Sequence, residues 1–371
     1  MTDTTAKTLV ISFTLCISCA QEPTSSPDQF DTWGPFAVGT TAVDVPAASE
    51  LTLTTQVWFP VDLPYSEASS LPLYYYEGIA SGEAIAEQTP ACSQTHPVFL
   101  FSHGHNGVRY QSIYLMEFLA SHGYIVLAPD HKYNTFYDAD ESHLTDIVTR
   151  RPKDLTDTFD WLLKQVNTPS SPFFGCANPQ GGFAVGGHSF GGYTALASGG
   201  SKIDVQGLEN YCQTEPGFLC NTNLTTLSQR ALDGRVDLSD PRVWGTVALS
   251  PAGYTLFHKG IEDLSVPTII LTGDTDTSTP LEIVKPLFDG MLTTPRFFGV
   301  FKDTGHVSFS NACDFTPADF EECSDNFRPY QEIQTQSRSL VLAFLQSLKG
   351  NDRAEEFLFQ SPPQVHWTIV Q

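Results

Sequence analysis

The stretch GGHSFGG, residues 186–192, sets Ser189 between glycines in the pattern G-x-S-x-G, directly after a short apolar run. A serine hydroxyl is a weak nucleophile until a base takes its proton and a carboxylate orients that base. Among the ten histidines, His306 in the loop DTGHVSFSN is the one that both follows a late apolar run, RFFGVF, and stands well short of the C-terminus. His366, in the terminal VHWTIVQ, is the fallback. The carboxylate is expected just past PTIIL, where TGDTDTSTP offers Asp274 and Asp276. Asp276 is preferred because it lies further into the loop, and Asp274 is assigned to the turn. Attack on a carbonyl builds negative charge on its oxygen, so two backbone N–H donors are needed. They are expected from Phe190, directly after the serine, and from His105, in the loop after PVFLFSHG. His103 and His105 also invite a metal reading, but no Asp-His pair follows them and no CxxC or Cys/His spacing points to zinc. No metal and no cofactor are expected.

These residues need a scaffold, and the hydropathy pattern supplies one. PVFLFSHG (97–104) and YIVLAPDH (124–131) are nearly continuous apolar runs, as in strands buried on both faces. GGFAVGGHS, RVWGTVALSP, VPTIILTGD and RFFGVFKDTGH read the same way. Helical spacing lies between and after them, in SIYLMEFLASHG, FGGYTALASGG, PLEIVKPLFDGML and QEIQTQSRSLVLAFLQSLKG. A further helix is predicted over 151–166, with Pro152 in its first turn. GPFAVGTTAVDV and LTLTTQVWFPV alternate apolar and polar residues, which predicts an antiparallel pair at a sheet edge. Strands alternating with helices call for a mostly parallel sheet covered on both faces, an α/β class. The polar insert at about 201–240 is the one sizeable departure, and it is expected to sit over the site.

The bulk properties set limits. With 16% charged and 41% apolar residues the chain is globular, and its net charge of −23 disfavours nucleic acid and anionic lipid partners. Lys7 followed by TLVISFTLCISCA reads as a signal peptide over 1–20, too short to span a bilayer. It resembles a bacterial lipoprotein signal with Cys19 as the lipidated residue, plain secretion being the alternative. A flexible linker is expected over 21–33, then one domain over 34–371. Membrane contact is expected only through that N-terminal lipid. Six cysteines remain: Cys92, Cys176, Cys212, Cys220, Cys313 and Cys323. An even set in an exported chain implies disulfides, with Cys212–Cys220 and Cys313–Cys323 close enough to be local clasps.

FLFSHGHNGVRYQSIYLMEFLASHGYIVLAPDH together with GGHSFGGYTAL resembles the platelet-activating-factor acetylhydrolase family and its bacterial dienelactone-hydrolase-like relatives. GPFAVG, VWFP, RPKDLTDTFDWL, LSPAG, TGDTDTSTP and GHVSFSNAC match the bacterial relatives in order, so the likeness runs from about residue 34 to 349. It implies an α/β-hydrolase fold, with the chain order Ser, Asp, His. Ser189 would attack, His306 would act as base, and the backbone of His105 and Phe190 would form the oxyanion hole. The mammalian acetylhydrolases carry their acid where this chain has Ser250, which leaves the role to Asp276. True dienelactone hydrolases use a cysteine nucleophile, unlike Ser189. No tryptophan follows ALSPAG, as it does in polyester-cleaving cutinases. In the implied fold the strands at 97–104 and 182–187 are neighbours, which predicts a Cys92–Cys176 bridge.

The expectation is therefore an exported serine esterase that cleaves small, short-acyl esters through an acyl-enzyme. The alternatives are a lipase, polyester hydrolase or peptidase of the same fold, or a hydrolase-like surface binding protein without catalysis. Nothing in the sequence selects an oligomeric state.

Overall fold

The computed structural model describes residues 30–48, 51–63, 65–215 and 217–371. The expected signal peptide and Cys19 lie outside them. Thirteen strands are present among the described residues: β1 Ala37–Pro46, β2 Thr52–Val61, β3 Leu73–Tyr76, β4 Ile79–Ile85, β5 Val98–Ser102, β6 Ile125–Pro129, β7 Phe183–His188, β8 Ile203–Asp204, β9 Arg235–Val236, β10 Val243–Leu249, β11 Thr268–Gly273, β12 Arg296–Phe301 and β13 Val365–Val370. Eleven of them form one sheet in the order β13-β12-β11-β10-β7-β5-β6-β2-β1-β4-β3. The central six, β12 through β6, run parallel.

Successive side chains of a strand point to opposite faces, and here both faces are dry. Phe99, Phe101, Ile269 and Leu271 pack with the helices Ile113–Ser121 and Tyr330–Ser347. On the opposite face, Val98, Leu100 and Val185 pack against Leu144–Val166, and Ala248 and Ile270 against Phe190–Ser198 and Leu281–Gly290. Burial on both sides is why these strands lack polar alternation.

Three local expectations need correction. The β1–β2 pair is not an edge: β2 pairs with β6, and the hairpin β3–β4 extends the sheet beyond β1. The helix expected from residue 151 starts at Leu144, so Pro152 is interior. An interior proline leaves the carbonyl four residues earlier without its N–H partner. That carbonyl, of Val148, accepts instead from the Tyr193 hydroxyl at 3.1 Å. Of the expected linker, the last residues are packed: Phe30 is buried against Phe357, and Trp33 meets Phe118 edge-on.

All three disulfides are formed: Cys92–Cys176, Cys212–Cys220 and Cys313–Cys323. The first ties the segments that lead into β5 and β7, where the His96 N–H also donates to the Cys176 carbonyl at 2.7 Å. Within the insert, β8 pairs with β9, and Leu208 and Leu227 are buried in the core with Phe257. Its Phe218 ring lies 4.5 Å from the His105 ring, so the insert does reach the loop after β5.

Candidate active site

Because the central strands are parallel, their C-terminal ends share one edge, where such sheets bind ligands. The loops after β5, β7, β11 and β12 carry His105, Ser189, Asp276 and His306 respectively.

Ser189 sits between β7 and the helix Phe190–Ser198 with φ 58° and ψ −118°. That conformation is costly for a residue with a Cβ and persists only where the surroundings enforce it. They do so here. The Ser189 N–H donates to the Leu249 carbonyl at 2.8 Å, and the Ser189 carbonyl accepts from Gly192 and Ala252 at 2.9 Å each. A Cβ on Gly187 would stand 2.2 Å from the Gly191 oxygen, and one on Gly191 would stand 1.8 Å from the Ser102 oxygen. Only glycine fits either place. The Ser189 side chain does not cap its helix, and the Phe190 N–H, first in that helix, has no intrahelical acceptor.

His306 Nδ1 donates to Asp276 Oδ2 at 2.8 Å. Asp276 Oδ1 accepts from the N–H groups of Ser278 and Thr279 at 2.9 and 2.8 Å. Burial alone would raise this carboxyl, but the bond to His306 and the Thr279 donors outweigh it and hold it below the usual carboxylate range. Thr279 Oγ1 lies 2.8 Å from Asp276 Oδ2, 3.0 Å from the Ser250 carbonyl and 3.2 Å from His306 Nδ1, its one proton shared between the two oxygens. Ser250 thus helps to brace the loop that carries Asp276. Asp274 is exposed and accepts the Thr304 N–H at 3.3 Å, a turn contact. His366 lies on β13, opposite Val300. The turn at His306 is held from outside as well: the Val307 N–H donates to Glu322 Oε2 at 2.6 Å, next to the Cys313–Cys323 clasp.

The His105 loop rests on a buried polar layer. His105 Nδ1 accepts from Asn134 Nδ2 at 2.7 Å, and Asn134 Oδ1 accepts from the buried guanidinium of Arg151. Arg151 also donates to the His103 carbonyl, to Ser102 Oγ at 2.9 Å and to Thr194 Oγ1 at 3.1 Å. Burial and the Arg151 charge together lower the affinity of His105 for a proton. Both ring nitrogens of His103 are engaged, with the Gly104 carbonyl and the His131 N–H. Ser102, His131 and Asp154 form a second serine–histidine–carboxylate row, with bonds of 2.9 Å each. All three are buried, at 0%, 0% and 1% exposure, so no substrate reaches them.

Ser189, His306 and the Gly104–Val108 loop line one cavity of about 480 Å³. Its lining is rich in aromatic rings, Tyr110, Phe136, Tyr137, Phe315 and Phe320, with Tyr110 edge-on to Phe315 at 6.1 Å. Sequence reasoning missed Gln111, which lines the same cavity, and His188, which is buried beside Ser189. It also missed Thr279 and Arg151. A buried cation in an otherwise amphipathic helix was the one available signal, and it applied to Arg151 alone.

A parallel sheet with a strained serine turn, a later acid loop and a last histidine loop defines an α/β-hydrolase. Within that superfamily, the family model described as Chlorophyllase matches residues 79–212. The matched stretch includes His105 and Ser189 and ends before Asp276 and His306. No curated protein matches the chain.

Proposed function

We propose that the protein is an exported serine carboxylic-ester hydrolase, of the acetylhydrolase type, working through an acyl-enzyme. The observation that carries this reading is the 2.8 Å bond from His306 Nδ1 to the buried Asp276, with His306 lining the same cavity as Ser189. With Nδ1 donating to the carboxylate, His306 Nε2 is left as the proton acceptor. His306 takes the Ser189 proton as Oγ attacks the ester carbonyl, and returns it to the departing alcohol. Water then repeats the sequence to release the acid. The N–H groups of Phe190 and His105 receive the oxyanion. Three disulfides support export, since such bonds persist in oxidising compartments.

A second reading, a hydrolase of bulkier apolar esters, is favoured by the aromatic walls and by a volume several times that of an acetyl group. The Chlorophyllase match likewise supports an ester substrate. Ser189→Ala should lower hydrolysis of 4-nitrophenyl acetate by about 10⁴-fold or more and abolish labelling by a fluorophosphonate. Retained turnover would point to another nucleophile, and an unlabelled wild-type protein to a binding module. Esters of graded acyl length separate the two enzyme readings.

A further inference from the structure

Gln111 and His188 form a chain of hydrogen bonds across the whole site. The Gly104 N–H donates to Gln111 Oε1 at 2.6 Å, Gln111 Nε2 donates to His188 Nδ1 at 2.8 Å, and His188 Nε2 donates to the His306 carbonyl at 2.9 Å. The direction is fixed at both ends. A backbone N–H can only donate and a backbone carbonyl can only accept. Gln111 must therefore turn its oxygen to Gly104 and its amide protons to His188, and His188 must carry its single proton on Nε2.

We propose that Gln111 and His188 are positioning residues that tie the loop of the oxyanion donor to the loop of the base across the nucleophile turn, with His188 held as the neutral Nε2–H tautomer. This rests on the serine-esterase reading above. The chain joins the loop after β5, the end of β7 and the loop after β12, and reacting groups misplaced by a fraction of an ångström lose much of their rate. Neutrality matters as much as position. The rings of His188 and His306 lie 4.6 Å apart, and His306 becomes an imidazolium in each half-reaction. A second imidazolium there would oppose it. The charged groups facing His188 are His306 and, behind it, Asp276. Burial first, and His306 second, push His188 down to about 3 against the smaller pull of Asp276. A proton on Nδ1 would also meet the Gln111 amide protons head-on.

The test uses the full chain with ¹⁵N-labelled histidine, assigned by difference from His188→Gln. Between pH 5 and 8 the His188 nitrogens should report a protonated Nε2 and a bare Nδ1. A proton on Nδ1 overturns the proposal, with or without activity. Gln111→Leu and His188→Leu should each lower kcat for 4-nitrophenyl acetate about 10- to 100-fold, with KM changed about threefold or less. The double variant should lose little more than either one. His188→Gln, whose amide can accept from Gln111 and donate to His306, should recover about tenfold over His188→Leu. Additive losses, or a His188→Gln no better than His188→Leu, overturn it. If the leucine variants fail to fold, the spectrum of the unmodified chain still decides. Failure of Ser189 labelling would sink the esterase reading while leaving the tautomer result intact.

Discussion

At the scale of single residues, the site depends on which atoms can only donate and which can only accept. Asp276 takes two backbone N–H groups on one oxygen and the His306 ring on the other. Asp276→Asn would place an amide N–H toward His306 Nδ1 and favour the wrong tautomer. We expect kcat to fall about 10³- to 10⁴-fold with KM nearly constant, read from initial rates on a short acyl ester. Because Asp276 is held below the usual carboxylate range, its contribution to stability is fully present above about pH 4 and is lost as pH falls through its folded value. Gly191→Ala is a different kind of lesion. Its Cβ would overlap the Ser102 oxygen at 1.8 Å, so the variant should lose both activity and several degrees in Tm. A normal melt would refute the packing argument.

At the scale of elements, the legibility of the fold followed from burial. Strands wrapped on both faces have few ways to encode themselves except continuous apolar runs, so β5, β6, β7 and β11 were readable. The glycine-flanked serine marked its own turn for a similar reason, since no other residue fits Gly187 or Gly191. What sequence could not give was partnership at a distance. Pro152 argued for a helix start, and only the Tyr193 hydroxyl, forty-odd residues later, permits it inside. The extension of the sheet by β3–β4 depends on a single parallel pairing, Gly39 with Ile85. Gln111 carries no local signature, because one of its partners, His188, stands 77 residues away at the end of β7. Disulfides give an element-scale test. By loop-closure entropy, removing Cys92–Cys176 should cost about 4–5 kcal/mol and removing Cys313–Cys323 about 3 kcal/mol, compared by urea unfolding of serine pairs. The smaller loss should carry the larger drop in kcat, since the second clasp sits beside the Glu322 contact that holds the His306 turn.

Across the whole molecule, one buried carboxyl sets a pH dependence apart from catalysis. Glu117 accepts from the Tyr76 hydroxyl at 2.9 Å and the Glu83 N–H at 2.6 Å, and burial pushes it up to about 7. The folded state thus keeps a proton that the unfolded chain gives up near pH 4.5. Stability should therefore decline between about pH 4.5 and 7, by on the order of 3 kcal/mol from this group. Glu117→Gln should flatten that decline, so its Tm advantage over the parent should grow from pH 5 to pH 8. An advantage independent of pH would reject the assignment. The net charge of −23 predicts that cationic esters lose kcat/KM with added salt while neutral ones do not. The Cys92–Cys176 bridge pins the entrances of β5 and β7, whereas His105 and Ser189, the proposed oxyanion donor and nucleophile, follow their exits. Under the proposed reading, this covalent cross-link and the chemistry stand at opposite poles of the same two strands.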